Sequence, residues 1–206
     1  MKPLCLGLVA AVSLLPGCAL TSKADALSPR YFNPQVPSSA RSPAAAESLE
    51  LKLGQVSSAA NLDERMAYRI SSTEVGFYDD RRWTELPEAY LRRALERDLF
   101  EQRRLKRVVS GIAPVLDVEL TAFEELRQQP PKVRVSLTFS LRDERHSRLE
   151  RSLTLEQPAS GGSDPAQNVA QALATTLSQA VRTLGDEVVR DLVQPASPDT
   201  APANQQ

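Results

Sequence analysis

The sequence has one histidine, His146, and two cysteines, Cys5 and Cys18, in 206 residues. A histidine-dependent triad or a metal site would have to use His146 or avoid histidine altogether. His146 lies in the polar run Asp143-Glu144-Arg145-His146, which reads as a solvated turn. After Cys18 the chain holds no disulfide, no Cys-x-x-Cys pair and no cysteine-based zinc site. Aromatics are scarce, at 5%. Neither charge sign dominates: 25 basic residues face 26 acidic ones. That balance leaves no electrostatic footprint of a nucleic-acid binder, and none is expected as a partner. There is no Gly-x-Ser-x-Gly elbow and no P-loop. Gly161-Gly162-Ser163 precedes a helix signal without the lysine a P-loop needs, and reads as loop and cap. Asp79-Asp80 and Glu124-Glu125 are sequence neighbours, which point to opposite faces of a strand, so they are poor evidence for a carboxylate pair. No catalytic residue, cofactor or metal is expected, and an enzyme is the least favoured class.

The N-terminus carries a clearer signal. Met1-Lys2 is followed by an apolar run from Leu4 to Leu15 and then by Leu15-Pro16-Gly17-Cys18. A basic start, a dozen apolar residues and a small-residue junction describe a secretory signal. The run is shorter than the ~20 residues a membrane span needs. Cysteine directly after the small residue resembles the bacterial lipobox, which makes Cys18 the acylated N-terminus of the mature chain. Residues 1–17 are then removed, and the formal net charge moves from −1 to −2 with the loss of Lys2. Ala19 stands where aspartate would mark inner-membrane retention, so a periplasm-facing domain on the outer membrane is favoured over the inner.

Residues 18–47 are rich in Ser, Ala and Pro without a sustained period and read as a tether, with a reach on the order of 30 Å. Tyr31-Phe32 interrupts it, as a contact with the domain edge, a short strand or a docking spot. The folded part is expected over 48–193, and 194–206 reads as a disordered tail. Ser48–Val56 alternates as a half-buried strand. Arg65–Ser71 and Glu74–Tyr78 form a hairpin pattern. Leu91, Leu95 and Leu99 recur with helical spacing, giving an amphipathic helix over 85–102 with Thr84 as cap and Pro87 in its first turn. Strands follow at Arg107–Ile112, Val115–Leu126, Lys132–Arg142 and Arg148–Glu156. Asp164 caps a final helix, Pro165 opens it, and Val169, Leu173, Leu177, Val181, Leu184, Val188 and Leu192 hold one face. Gly185 allows this helix a close approach to the sheet. The expected fold is α+β: a mixed, largely antiparallel sheet of about five to seven strands packed by two amphipathic helices.

One basic cluster stands out, Arg103, Arg104, Lys106 and Arg107, just past the first helix. Cations there complement the helix dipole. The alternative is contact with anionic lipid headgroups or an acidic partner.

The order of these parts resembles the ABC-type transport auxiliary lipoproteins. The resemblance rests on a lipobox, a tether bearing an aromatic pair, a strand with Tyr68-Arg69, and the run Phe77-Tyr78-Asp79-Asp80-Arg81-Arg82-Trp83-Thr84 opening a helix through Pro87. A long amphipathic helix after a Gly/Ser-rich loop completes it. It implies a non-enzymatic partner of a mammalian-cell-entry type bridge protein and an ABC transporter (permease plus ATPase) that together move lipid between membranes. Homo-oligomerisation stays open. Two other roles are weighed beside it: a lipoprotein that itself carries lipid, and an assembly factor for outer-membrane or secreted components. Within the run, Trp83 is expected to bury under the first helix, with Arg82 covering it or pairing with Asp79 or Asp80. The alternative is that Tyr78, Arg81 and Trp83 edge a docking surface.

Overall fold

The computed structural model describes residues 28–34, 49–144 and 146–194. The signal segment, Cys18, most of the tether and residues 195–206 lie outside the described residues. Eight strands and two helices run in the order β1 (Arg30–Phe32), β2 (Glu50–Ser58), β3 (Arg65–Arg69), β4 (Val75–Trp83), α1 (Pro87–Glu96), β5 (Lys106–Arg107), β6 (Val115–Leu126), β7 (Lys132–Arg142), β8 (Ser147–Pro158) and α2 (Pro165–Val193). The class is α+β with a mixed, mostly antiparallel sheet, and the strand number is slightly above the expected range.

The strict alternation of β7 organises the sheet. Val133, Val135, Leu137, Phe139 and Leu141 are all fully or almost fully buried. They face α2, whose Val169, Leu173, Leu177, Val181, Leu184 and Val188 form the matching apolar stripe. Burying side chains of this size contributes about 1.5–3 kcal/mol each. The opposite face is polar. Ser136 pairs with Thr154 and Thr138 with Ser152 across the β7–β8 ladder, at 2.9 and 3.3 Å.

β6 lies antiparallel to β7 along its whole length, and its other edge is shared. β2 runs parallel to its first half, from Lys52↔Val115 to Ser58↔Leu120. β3 runs parallel to its second half, from Ala67↔Glu124 to Arg69↔Leu126. β2 and β3 thus act as one strand interrupted by an excursion at 59–64. A bulge between Leu120 and Ala122 marks the change of neighbour. It also shifts the inward parity of β6 from Leu116, Val118 and Leu120 to Phe123.

β4 folds back antiparallel on β3, as the hairpin pattern predicts. β1 adds a parallel edge to β4, with Tyr31 opposite Arg82 and Phe32 opposite Trp83. Phe32 is buried and Tyr31 exposed. The aromatic pair is therefore a strand of the domain.

The first helix differs from its expected extent. Leu86, with no side-chain cap bond, precedes Pro87 at the start. Thr84 does not cap, because its hydroxyl sits 2.9 Å from the Tyr90 hydroxyl. After Glu96 the coil widens into a π-helical segment, Arg97–Gln102. Two residues past its end, Arg104 has a φ of 57° in the left-handed region, and the Leu105 N–H returns to the Leu99 carbonyl at 3.0 Å. The strand expected at Arg107–Ile112 is confined to Lys106 and Arg107 beside β2. Beyond them the chain leaves the sheet edge as a loop to β6.

Candidate partner-docking site

The site forms where β3, β4 and the second half of β6 meet. β3 places Tyr68 beside Glu125 in parallel register. Across β4, Gly76 lies opposite Tyr68, and a Cβ there would sit 2.5 Å from the tyrosine ring. The glycine lets the ring lie flat across the strand. The β3–β4 register jumps from Ala67↔Phe77 to Arg65↔Arg82. The extra residues of β4 between these pairs bring Arg81 back over Tyr78.

The result is a stack of tyrosines and arginines. The Tyr68 and Tyr78 ring centroids are 4.8 Å apart, with planes inclined at 58°. The Arg81 guanidinium lies 3.8 Å from the Tyr78 centroid. The Arg127 guanidinium lies 3.7 Å from Tyr68 and 4.8 Å from Tyr78. The Tyr78 hydroxyl donates to Glu125 Oε2 at 2.5 Å and accepts from Arg127 Nε at 3.2 Å. Burial and the Glu125 carboxylate raise the Tyr78 phenol above its ordinary value, against the pull of Arg127. Arg81 stands 3.8 Å from both Glu125 and Asp80. Cations resting on aromatic faces are held there by attraction to the ring quadrupole.

Only part of the sequence-selected turn enters this platform. Arg81 belongs to it, and so does Tyr78, which at 8% exposed is also part of the apolar core. Trp83 belongs to the core, 2% exposed, with its ring 5.0 Å from Phe123 and 6.1 Å from Tyr90. Arg82 is in register with Tyr31 of β1 on one side and Arg65 of β3 on the other. Sequence reasoning missed Tyr68, Glu125 and Arg127. Tyr68 and Glu125 are next to last in β3 and β6, Arg127 follows β6, and no local pattern marks the long-range β3–β6 pairing that brings them together.

The basic cluster also divides. Arg103 is 8% exposed and turned inward. It donates to Asp98 at 2.6 Å, to Asp186 at 2.9 Å and to the Arg182 carbonyl at 2.8 Å. Burial works against its charge, but the two aspartates outweigh that and raise its pKa. Gly185 makes this possible, since a Cβ there would meet Asp98 Oδ2 at 2.3 Å. The close approach at Gly185 is thus to this ion pair. Lys106 pairs with Glu50 at 2.7 Å, and Arg107 with Glu96 at 3.0 Å. Lys106, Arg107 and Arg104 stay on the surface. Among the described residues no group of three or more His, Cys, Asp or Glu is placed to hold a metal ion. No described helix is long and apolar enough to cross a membrane.

Comparison with known proteins supplies the rest. The family model described as "ABC-type transport auxiliary lipoprotein component" matches residues 32–189. No curated protein matches the chain. Among solved structures, a Xanthomonas campestris protein superposes with a TM-score of 0.69 at 18% identity, covering 79% of this chain and 95% of its own. An uncharacterized protein gives 0.61 at 18% identity, covering 78% and 99%. A minor lipoprotein from Acinetobacter baumannii gives 0.46 at 14% identity, covering 69% and 93%. At 18% identity the likeness to the first two concerns the fold alone.

Proposed function

The chain belongs to the ABC-type transport auxiliary lipoprotein component family, and from that premise we propose that it is the acylated docking component of an intermembrane lipid transport system. Cys18 carries the lipid and holds the domain at the membrane, the outer one in preference to the inner. The partners are a mammalian-cell-entry type bridge protein and its permease and ATPase. The role is scaffolding, with no chemical step assigned to any side chain beyond the acylation of Cys18.

The observation that carries this reading is the Arg127–Tyr68–Tyr78–Arg81 stack. Tyrosine and arginine dominate binding hot spots because they offer large, stiff, amphipathic contact area. Here the rings are fixed by Gly76 and Glu125 before any partner arrives, so little ordering cost remains for association. Arg127 itself is exposed.

The test is co-purification in detergent with the bridge protein of the same cell. Arg127→Ala is expected to lose the bridge protein while keeping the melting temperature of the parent. Retained co-purification would remove the platform from the interface. Cys18→Ser is expected to release the chain from membranes in flotation, and persistent attachment would refute the anchor.

A further inference from the structure

Between β5 and β6 the chain makes a convex tip, Val108 to Pro114. Its two large apolar side chains are the most exposed among the described residues: Val109 at 78% and Ile112 at 76%. Between them Gly111 adopts φ +104°, a turn that side-chain-bearing residues rarely make, and a Cβ there would meet nothing within 4 Å. The tip therefore projects. The residues that lead into it in the chain, Arg104, Lys106 and Arg107, are exposed. The Lys106 and Arg107 side chains are more than half exposed, and their partners are the surface carboxylates Glu50 and Glu96. Exposed pairs of this kind hold weakly and exchange readily with other anions.

We propose that this tip inserts into the interface of a bilayer containing anionic lipid, with Val109 and Ile112 below the headgroups and Arg104, Lys106 and Arg107 at phosphate level. Two protruding apolar side chains need a fluid that closes around them, which a bilayer supplies without a preformed pocket. Three exposed cations leading into the tip match an anionic interface, where each nearby cation adds to the attraction. Exposed Val193 lies at the same end of the domain. The last turn of α2 is held by Arg148 through Asp191, beside the β7–β8 turn, and Arg142 at that turn is in register with Val115, just past the tip.

Chain length permits the pose. Arg30 bonds Asp164 at the other end of α2, a 29-residue helix about 44 Å long. The twelve residues from Cys18 to Arg30 span at most about 40 Å. The extended tether falls just short of the helix length, so a domain anchored through Cys18 brings Val109 and Ile112 to the same membrane with α2 inclined to the membrane normal. The Tyr68–Tyr78 platform lies toward the opposite end of β6, so lipid contact leaves it open.

The inference rests on Cys18 as anchor for its geometry, and the experiment separates the two. If the signal is removed and Cys18 acylated, the mature chain has no other thiol. Val109→Cys or Ile112→Cys is then labelled with an environment-sensitive fluorophore. The acylated chain is reconstituted in vesicles of phosphatidylethanolamine and phosphatidylglycerol. Blue-shifted emission, quenched by spin-labelled lipid, is expected at both positions and not at a Ser152→Cys control on β8. In parallel, the unacylated mature chain with Cys18→Ser is expected to bind the same vesicles weakly. Its binding should weaken at least about tenfold with Val109→Ser and Ile112→Ser together. A water-exposed label on an acylated chain that floats would overturn the tip and leave the anchor standing. An acylated chain that fails to float would overturn the anchor, and the tip is then decided by the unacylated chain. Shielding that appears only after bridge protein is added would make the tip a protein contact and overturn the lipid proposal.

Discussion

Arg30 and Asp164 meet across 134 residues and join the first described strand to the start of the last helix. Both terminal nitrogens of the Arg30 guanidinium, Nη1 and Nη2, donate to the Asp164 carboxylate. The same carboxylate accepts from the Ala166 and Gln167 backbone N–H groups at 3.1 and 3.3 Å. One anion thus caps α2 and pins β1. The Arg30 bond leads in lowering the Asp164 pKa from 3.8 to about 2, assisted by the two backbone bonds.

The pH dependence follows from that depression. A carboxyl whose folded pKa lies below its unfolded value stabilises the fold above the unfolded pKa, and the contribution disappears as pH falls through the folded one. Asp164→Ala is expected to lower the melting temperature at neutral pH. The gap from the parent should narrow below pH about 4 and close near pH 2. Thermal melts of both proteins across that range check it. A gap independent of pH would show that the carboxylate charge contributes nothing.

Tyr78 shifts the other way and gives the mirror-image test. Its folded phenol is raised above 10.0 by burial and by Glu125. Stability tied to the neutral phenol is therefore complete below pH 10 and lost as pH rises through the folded value. Ultraviolet titration of the four tyrosines should show a group ionising later than free tyrosine. Tyr78→Phe should remove that late component. The same substitution should cost about 1.5–3 kcal/mol in urea unfolding at neutral pH, the usual range for a hydrogen bond to a charged group.

The ion pair under α2 makes a stronger claim. Arg103→Ala leaves Asp98 buried without its guanidinium, and breaking a buried pair from one side costs about 3–5 kcal/mol. Gly185→Ala reaches the same cluster from the helix, because its new Cβ falls 2.6 Å from Arg103 Nε and 2.3 Å from Asp98 Oδ2. A loss of about 1–3 kcal/mol is expected from overpacking. The double variant should lose less than the sum of the two single losses, since removing the arginine takes away two of the three atoms the methyl meets and the bond that holds Asp98 against it. Additive losses would place Gly185 outside the cluster.

These residues also show how far the sequence could be read. β7 and α2 were legible because a face buried along a whole element writes its period into the chain: five alternating apolar residues in one, seven at helical spacing in the other. The β3–β4 hairpin was legible because its turn is local. β1 and β5, at three and two residues, are too short to carry a period. The sharing of one β6 edge by β2 and β3 is a parallel, long-range pairing that neither strand encodes alone. Arg103 was grouped with its neighbours because a run of cations normally marks a solvated face. Its inward turn depends on the π-helical segment and on Gly185, 82 positions later. The platform was half legible, through Tyr78 and Arg81. Glu125 and Arg127 lie beyond the β6 bulge, which reverses the parity that simple alternation assigns.

Arg81 and Trp83, two positions apart on β4, are expected to fail in different ways. Trp83 fills the space between Phe123 and Tyr90 and is almost fully buried. Trp83→Ala removes a large ring from a packed core, with a loss of about 3–5 kcal/mol. Co-purification with a partner would then fall only through loss of folded protein. Arg81 rests on the outer side of Tyr78, its side chain 20% exposed and 3.8 Å from Glu125. Arg81→Ala gives up a cation–π contact of about 0.5–2 kcal/mol. The melt should therefore move little while co-purification drops. Arg81→Lys keeps the charge but loses the flat guanidinium, so it should restore stability and leave docking impaired. Stability and docking that fall together at Arg81 would assign it, like Trp83, to the core.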